Sequence, residues 1–134
     1  MKSERLEQKD RYLIDTSALY PMLLKGISLD PDKFVISSLT EYEIGNVLWK
    51  ENQKKKIKEP ERVAAIFSES IKDLERRGID SIILVLKLAL DRNLTFYDAS
   101  YAYIAEKEHL KLVTQDKDLL KKSKNAISIE EIII

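Results

Sequence analysis

The chain has 134 residues, 44% hydrophobic and 34% charged, which is enough to build a hydrophobic core and too apolar for a disordered polymer. The absence of cysteine excludes a disulfide scaffold, a thiolate metal site and a cysteine nucleophile, and the single His109 excludes a cluster of histidine ligands. Lys plus Arg and Asp plus Glu balance at 23 each, so any binding to nucleic acid must rest on a local basic patch or on metal ions rather than on net charge.

Residues 1–10 are rich in charge and offer little to bury, and they read as an N-terminal extension; residues 11–134 read as a single domain. The first strand is announced by Tyr12, Leu13 and Ile14, an apolar run that stops at Asp15 and the hydroxyl residues Thr16 and Ser17. In open parallel α/β sheets ligands bind beyond the carboxyl ends of the strands, which places Asp15 at the mouth of a site. Residues 17–24 read as a short helix strained by Pro21 and ended by Gly26. Phe34, Val35 and Ile36 then form a second strand, and this compact alternation predicts a parallel crossover.

Ile44, Val47 and Leu48 recur at helical spacing and predict a helix over residues 39–56. Its start has two equivalent capping boxes, Ser38 with Glu41 and Thr40 with Glu43. If Ser38 caps, Glu43 is left free, and Glu43, Asn46 and Lys50 share one face beside the apolar stripe. The basic run at residues 54–58 complements the helix C-terminal dipole, or else offers phosphate contacts. Pro60 opens a further helix with Val63, Ile66, Phe67, Ile71 and Leu74 on its buried face and Gly78 as its stop.

Residues 82–92 read as a helix, with a strand as the alternative for the first half; the segment is apolar on more than one side, which implies deep burial or a partner surface, and a homodimer is expected on that ground. Residues 82–90 form the longest apolar run. It is broken by Lys87 and too short to span a membrane, so a cytoplasmic protein is expected. Residues 96–109 form a helix carrying Ala99, Ala102 and Ala105, small residues that permit close packing, with Asp98 in its first turn. Thr95 and Asp98 also fit a capping box, a purely structural reason for that acid. Leu112, Val113 and Thr114 repeat the design of the first strand and deliver Asp116 to the address of Asp15, with Asp118 two residues on. A short basic helix and a final strand or strand pair over residues 126–129 and 132–134 complete the chain.

Asp15 and Asp116 thus project from strand ends, while Glu43 and Asp98 lie in the first turns of helices that could flank the same crevice. Four carboxylates gathered without counter-charge repel one another, so a cluster implies a divalent cation. Hard oxygen donors without histidine or cysteine favour Mg²⁺ or Mn²⁺ over Zn²⁺. Such ions activate water and stabilise charge in phosphodiester displacement.

Four segments taken together resemble a known family. They are residues 13–18 around Asp15, residues 39–50 with Glu43 and Asn46, residues 95–101 with Asp98, and residues 112–119 with Asp116 and Asp118. In order and spacing they are similar to the successive motifs of PIN-domain proteins, particularly VapC-type toxin ribonucleases. The resemblance implies a three-layer α/β/α sandwich around a central parallel sheet. It implies Asp15, Glu43, Asp98 and Asp116 as metal ligands of a single-strand RNA endonuclease, with Asp118 as a neighbouring candidate ligand. Thr16, Ser17, Asn46 and Thr114 stand as supporting polar groups. A homodimer and a cognate antitoxin that blocks the acidic pocket are the partners implied. Two other readings compete: a PIN-like module that binds RNA or protein without cutting, and a metal-dependent phosphoesterase for small substrates, which lacks an Asp-x-Asp signature at Asp15.

Overall fold

The computed structural model describes residues 10–132. The proposed extension at residues 1–10 and the tail at residues 133–134 therefore fall outside the described residues, apart from Asp10. Five parallel strands, β1 (Tyr12–Ile14), β2 (Phe34–Ser37), β3 (Glu75–Arg77), β4 (Lys111–Val113) and β5 (Ala126–Ile127), lie in the order β3-β2-β1-β4-β5. Six helices accompany them among the described residues: α1 (Thr16–Leu24), α2 (Thr40–Gln53), α3 (Pro60–Ile71), α4 (Ile82–Arg92), α5 (Phe96–Lys107) and α6 (Lys117–Lys122). This is the expected three-layer α/β/α sandwich.

The period-two alternation of a strand sorts its side chains between the two faces. Leu13, Val35 and Leu112 enter one core with α4 and α5, while Ile14, Ile36 and Val113 enter the other with α1, α2 and α3. A sheet covered on both faces has no polar side, which is why these strands read as unbroken apolar runs. The small stripe of α5 performs as expected: Ala99, Ala102 and Ala105 are completely buried, and the helix lies close over β1 and β4.

Strand order reverses between β1 and β4. The chain runs outward from β1 through β2 to β3, crosses back by α4 and α5, and resumes at β4 on the other side of β1. Such a reversal leaves a crevice at the carboxyl ends of the two strands that flank it. Register pairs Ile14 with Val113, so the residues that follow, Asp15 and Thr114, emerge side by side into that crevice.

Two local expectations are corrected. The helix that opens at Pro60 ends at Ile71 rather than running to Gly78, and the charged triplet Glu75, Arg76 and Arg77 is the edge strand β3. A three-residue charged edge strand carries no hydrophobic period, and charge is what keeps such an edge from pairing with other chains. Beyond β5, Ile129–Glu131 is a 3₁₀ turn closed by a Ser128–Glu131 capping box rather than a continuing strand. Gly26 has φ +72° and Pro60 occupies the first turn of α3, as expected, whereas α1 begins early, at Thr16, and holds Pro21 in its interior rather than starting late to accommodate it.

Candidate active site

Asp15 combines two tasks at the end of β1. Its side chain caps α1 by accepting the Ala18 amide at 3.2 Å, and it is only 5% exposed. Ser17 Oγ donates to Oδ1 at 2.7 Å and Thr114 Oγ1 donates to Oδ2 at 2.6 Å, so hydroxyls from both sides of the crevice hold the carboxylate in place. These hydroxyls are fixed in turn, since Ser17 Oγ accepts the Gln115 amide at 2.9 Å and Thr114 Oγ1 accepts the Asp116 amide at 3.0 Å. Burial pushes the Asp15 carboxyl up from 3.8 to about 6; the Thr114, Ser17 and Ala18 donors oppose that rise, and the charge of Asp116 adds to it.

Glu43 reaches the same region from the first turn of α2. The ambiguity at this helix start resolves against both capping boxes: Leu39 occupies the cap position without a side-chain bond, Thr40 Oγ1 accepts the Ser37 amide, and Ser37 Oγ accepts the Leu39 amide. Glu43 is thereby released from the helix end. Its Oε1 accepts hydrogen bonds from Thr16 Oγ1 at 2.7 Å and from the Tyr101 hydroxyl at 2.6 Å. Tyr101 is 2% exposed, and burial together with the Glu43 charge raises its phenol well above the ordinary value, so it remains a donor at any physiological pH.

Asp98 lies half-buried in the first turn of α5, where Thr95 Oγ1 caps the helix by accepting the Asp98 amide at 3.1 Å. The capping box is thus met on the threonine side. Burial raises the Asp98 carboxyl, and the charges of Asp116, Glu43 and Asp118 raise it further, while the Thr95 hydroxyl lowers it. Asp116 caps α6 by accepting the Leu119 amide at 3.0 Å. Asp116 acts on both Asp15 and Asp98, whereas Asp118, exposed on α6, acts on Asp98 alone. That difference favours Asp116 as the more central of the two.

The expected acids therefore share one electrostatic neighbourhood, though among the described residues no three carboxylates stand arranged to enclose an ion. Asp15 and Glu43 turn instead toward hydroxyl donors. Among the described residues none of Asp15, Glu43, Asp98, Asp116 and Asp118 is in an ion pair, although Arg76, Arg77, Arg92 and Lys107 all pair with acids elsewhere. Carboxylates whose charges raise Asp15 and Asp98, and which form no ion pair among the described residues, fit a hard divalent cation. Asn46 is exposed and has no described hydrogen bond, so the structure does not bring it into this group. Tyr101 is the residue that sequence reasoning missed. Its signal is the spacing: three residues after Asp98 on the same helix, it shares that acid's face.

Comparison with known proteins gives the following likenesses. A family model described as the PIN domain matches residues 12–125. The chain is 44% identical over 129 residues to a protein of Pyrobaculum aerophilum named exonuclease VapC9, covering 92% of this chain and 93% of that one. It is 30% identical over 123 residues to ribonuclease VapC3 of the same organism, covering 89% and 82%. Among solved structures, the crystal structure of PAE2754 from Pyrobaculum aerophilum superposes with a TM-score of 0.81 at 38% identity over 92% of this chain and 93% of that one. A DNA-bound VapBC from Salmonella typhimurium superposes with a TM-score of 0.66 at 18% identity over 90% and 98%, a likeness of fold alone.

Proposed function

This chain belongs to the PIN-domain family, and on that premise we propose that it is a Mg²⁺- or Mn²⁺-dependent endoribonuclease, the toxin of a toxin–antitoxin pair. The observation that carries the reading is the set of carboxylates at the strand-order reversal that form no ion pair among the described residues. Asp15, Glu43, Asp98 and Asp116 would hold the ion, with Asp118 as an outer neighbour. When bound, a divalent ion supplies water activation and stabilises the charge that develops on the scissile phosphate.

The chain's own groups prepare that site. Ser17 and Thr114 orient both oxygens of Asp15, and Thr16 and Tyr101 orient Glu43. Each bond fixes an acid that repulsion would otherwise turn outward, and support of this kind typically changes metal affinity or activity by ~10- to 100-fold. Substrate phosphates are drawn in only once the acids are neutralised, so binding and cleavage both depend on the cation. Ile82, Ile83, Leu86 and Leu90 lie exposed along α4, an apolar surface that supports the homodimer reading. An antitoxin partner and a cytoplasmic site of action belong to the same proposal.

The test is cleavage of single-stranded RNA with Mn²⁺ or Mg²⁺. Asp15→Asn and Asp98→Asn are expected to fold and to lose cleavage by at least ~10²-fold. Full activity in either variant, or undiminished activity in excess chelator, would overturn the reading. A covalently closed RNA circle distinguishes internal cutting from the exonuclease action in the name of one relative: an endoribonuclease opens it. A PIN-like module that binds without cutting is favoured by one observation, that protein donors already occupy both Asp15 oxygens; binding of RNA without cleavage in either metal would establish it.

A further inference from the structure

Beside the acids lies a cavity of about 180 Å³ lined by Ser37, Ser38, Leu39, Gly78, Ile79, Phe96, Tyr97, Ser100 and Ile104. Two of its walls, α5 and the start of α2, also border the acidic crevice. On α5, Tyr97, Ser100 and Ile104 form one stripe facing the cavity, while Asp98 and Tyr101 form the adjacent stripe facing Glu43. On α2, the amide of Glu43 bonds to the carbonyl of Leu39, so one helical turn separates the cavity wall from the acid.

The lining decides what can enter. No charged side chain contributes to it, so it has nothing with which to hold a phosphate. Its surface is mostly apolar and includes two aromatic rings; of its serine hydroxyls, Ser37 already accepts the Leu39 amide and keeps its donor, and Ser100 already donates to the Tyr97 carbonyl and keeps its acceptor capacity. Tyr97 is 61% exposed at the rim, where its ring is open to stack on a base. The volume is close to the ~150 Å³ of an apolar cavity that accommodates benzene, which suits one planar ring.

We propose that this cavity seats a single-ring nucleobase of the substrate strand, next to the phosphate held at the acids. The inference rests on the proposed nuclease reading and adds to it a base-recognition subsite with Tyr97 as the stacking residue. A neutral aromatic base is the part of a nucleotide that an uncharged, aromatic-lined pocket can take, while the phosphate belongs to the cation next door.

Neutral probes separate this subsite from the acids and from any metal. In a metal-free NMR titration, uridine is expected to shift the methyl resonances of Ile79 and Ile104, adenosine to shift them less, and ribose not at all. Tyr97→Ala should weaken uridine binding about tenfold, as the loss of one base–aromatic stack implies, and Tyr97→Phe should bind within twofold of wild type. With Mn²⁺ and a random-sequence RNA, wild-type cuts should show a pyrimidine bias at one fixed position, flattened in Tyr97→Ala. Equal shifts from ribose, or uridine binding unchanged by Tyr97→Ala, would overturn the proposal. Protection of the cavity by a co-purifying polypeptide without response to uridine would also overturn it, in favour of a protein contact. Uridine shifts without any cleavage would sink the nuclease reading and leave the subsite; cleavage without uridine shifts would do the reverse.

Discussion

Two groups of carboxylates in this molecule receive opposite treatment. Glu106 on α5 is nearly buried, and burial raises its carboxyl. Yet Arg92 donates to both its oxygens at 2.6 and 2.9 Å, and the Lys124 amide donates at 3.0 Å, so the balance falls below the ordinary value. Asp15, buried more deeply at the carboxyl end of the central strand β1, has only neutral donors and rises to about 6. The first site is a closed ion pair that holds the far ends of α4 and α5 together. The second is an unfinished one whose missing partner is a cation from solution.

Breaking the finished site should cost more stability than any other change discussed here. Arg92→Ala leaves Glu106 charged and partly desolvated with only the Lys124 amide and the Ser123 hydroxyl as donors, which is expected to destabilise the fold by about 2 kcal/mol, read as a shifted denaturant midpoint. RNA cleavage at low temperature should persist. Loss of cleavage with no loss of stability would show that the two regions are not independent.

The unfinished site should behave in the opposite sense. Since Asp15 titrates near 6 when folded and near 3.8 in the unfolded chain, it supports the native state fully below about pH 4, and that support is lost as pH rises through 6. Asp15→Asn cannot ionise, so in chelator it should be more stable than wild type at pH 7.5, by on the order of 3 kcal/mol, and equal to it near pH 4. Thermal melts across that range are the measurement. A uniform stability difference at every pH would mean that ionisation of Asp15 carries no strain.

Much of this contrast was legible in the residues. The apolar runs ending at Asp15 and at Thr114 located the strand ends, and because parallel strands are buried on both faces those runs were unbroken and easy to find. Glu43 was harder, because two capping boxes competed for the same helix start; the choice was made by tertiary bonds from Thr16 and Tyr101 that no local pattern encodes. Strand β3 was invisible for a related reason, since Glu75, Arg76 and Arg77 become a strand only by pairing with β2. Tyr101 carries no local mark of its role beyond its spacing from Asp98, and its hydroxyl acquires meaning only when Glu43 is seen opposite.

The smallest expected effect sharpens the comparison at that hydroxyl. Tyr101→Phe keeps the packing and removes one of two donors to Glu43, so a ~10-fold loss of metal affinity is expected with stability changed by less than ~1 kcal/mol. Metal titrations followed by Mn²⁺ electron paramagnetic resonance would resolve it. A large loss of stability instead would make Tyr101 a core residue whose hydroxyl serves the fold.

The central claim is that the acids at the reversal of strand order are one incomplete cation site. Anomalous diffraction from Mn²⁺-soaked crystals tests it most directly. The account predicts at least one manganese peak with oxygens of Asp15, Glu43, Asp98 and Asp116 around it, at least two of them in direct contact at ~2.0–2.3 Å. Manganese bound only at other surface acids, with this crevice empty at saturating metal, would contradict it.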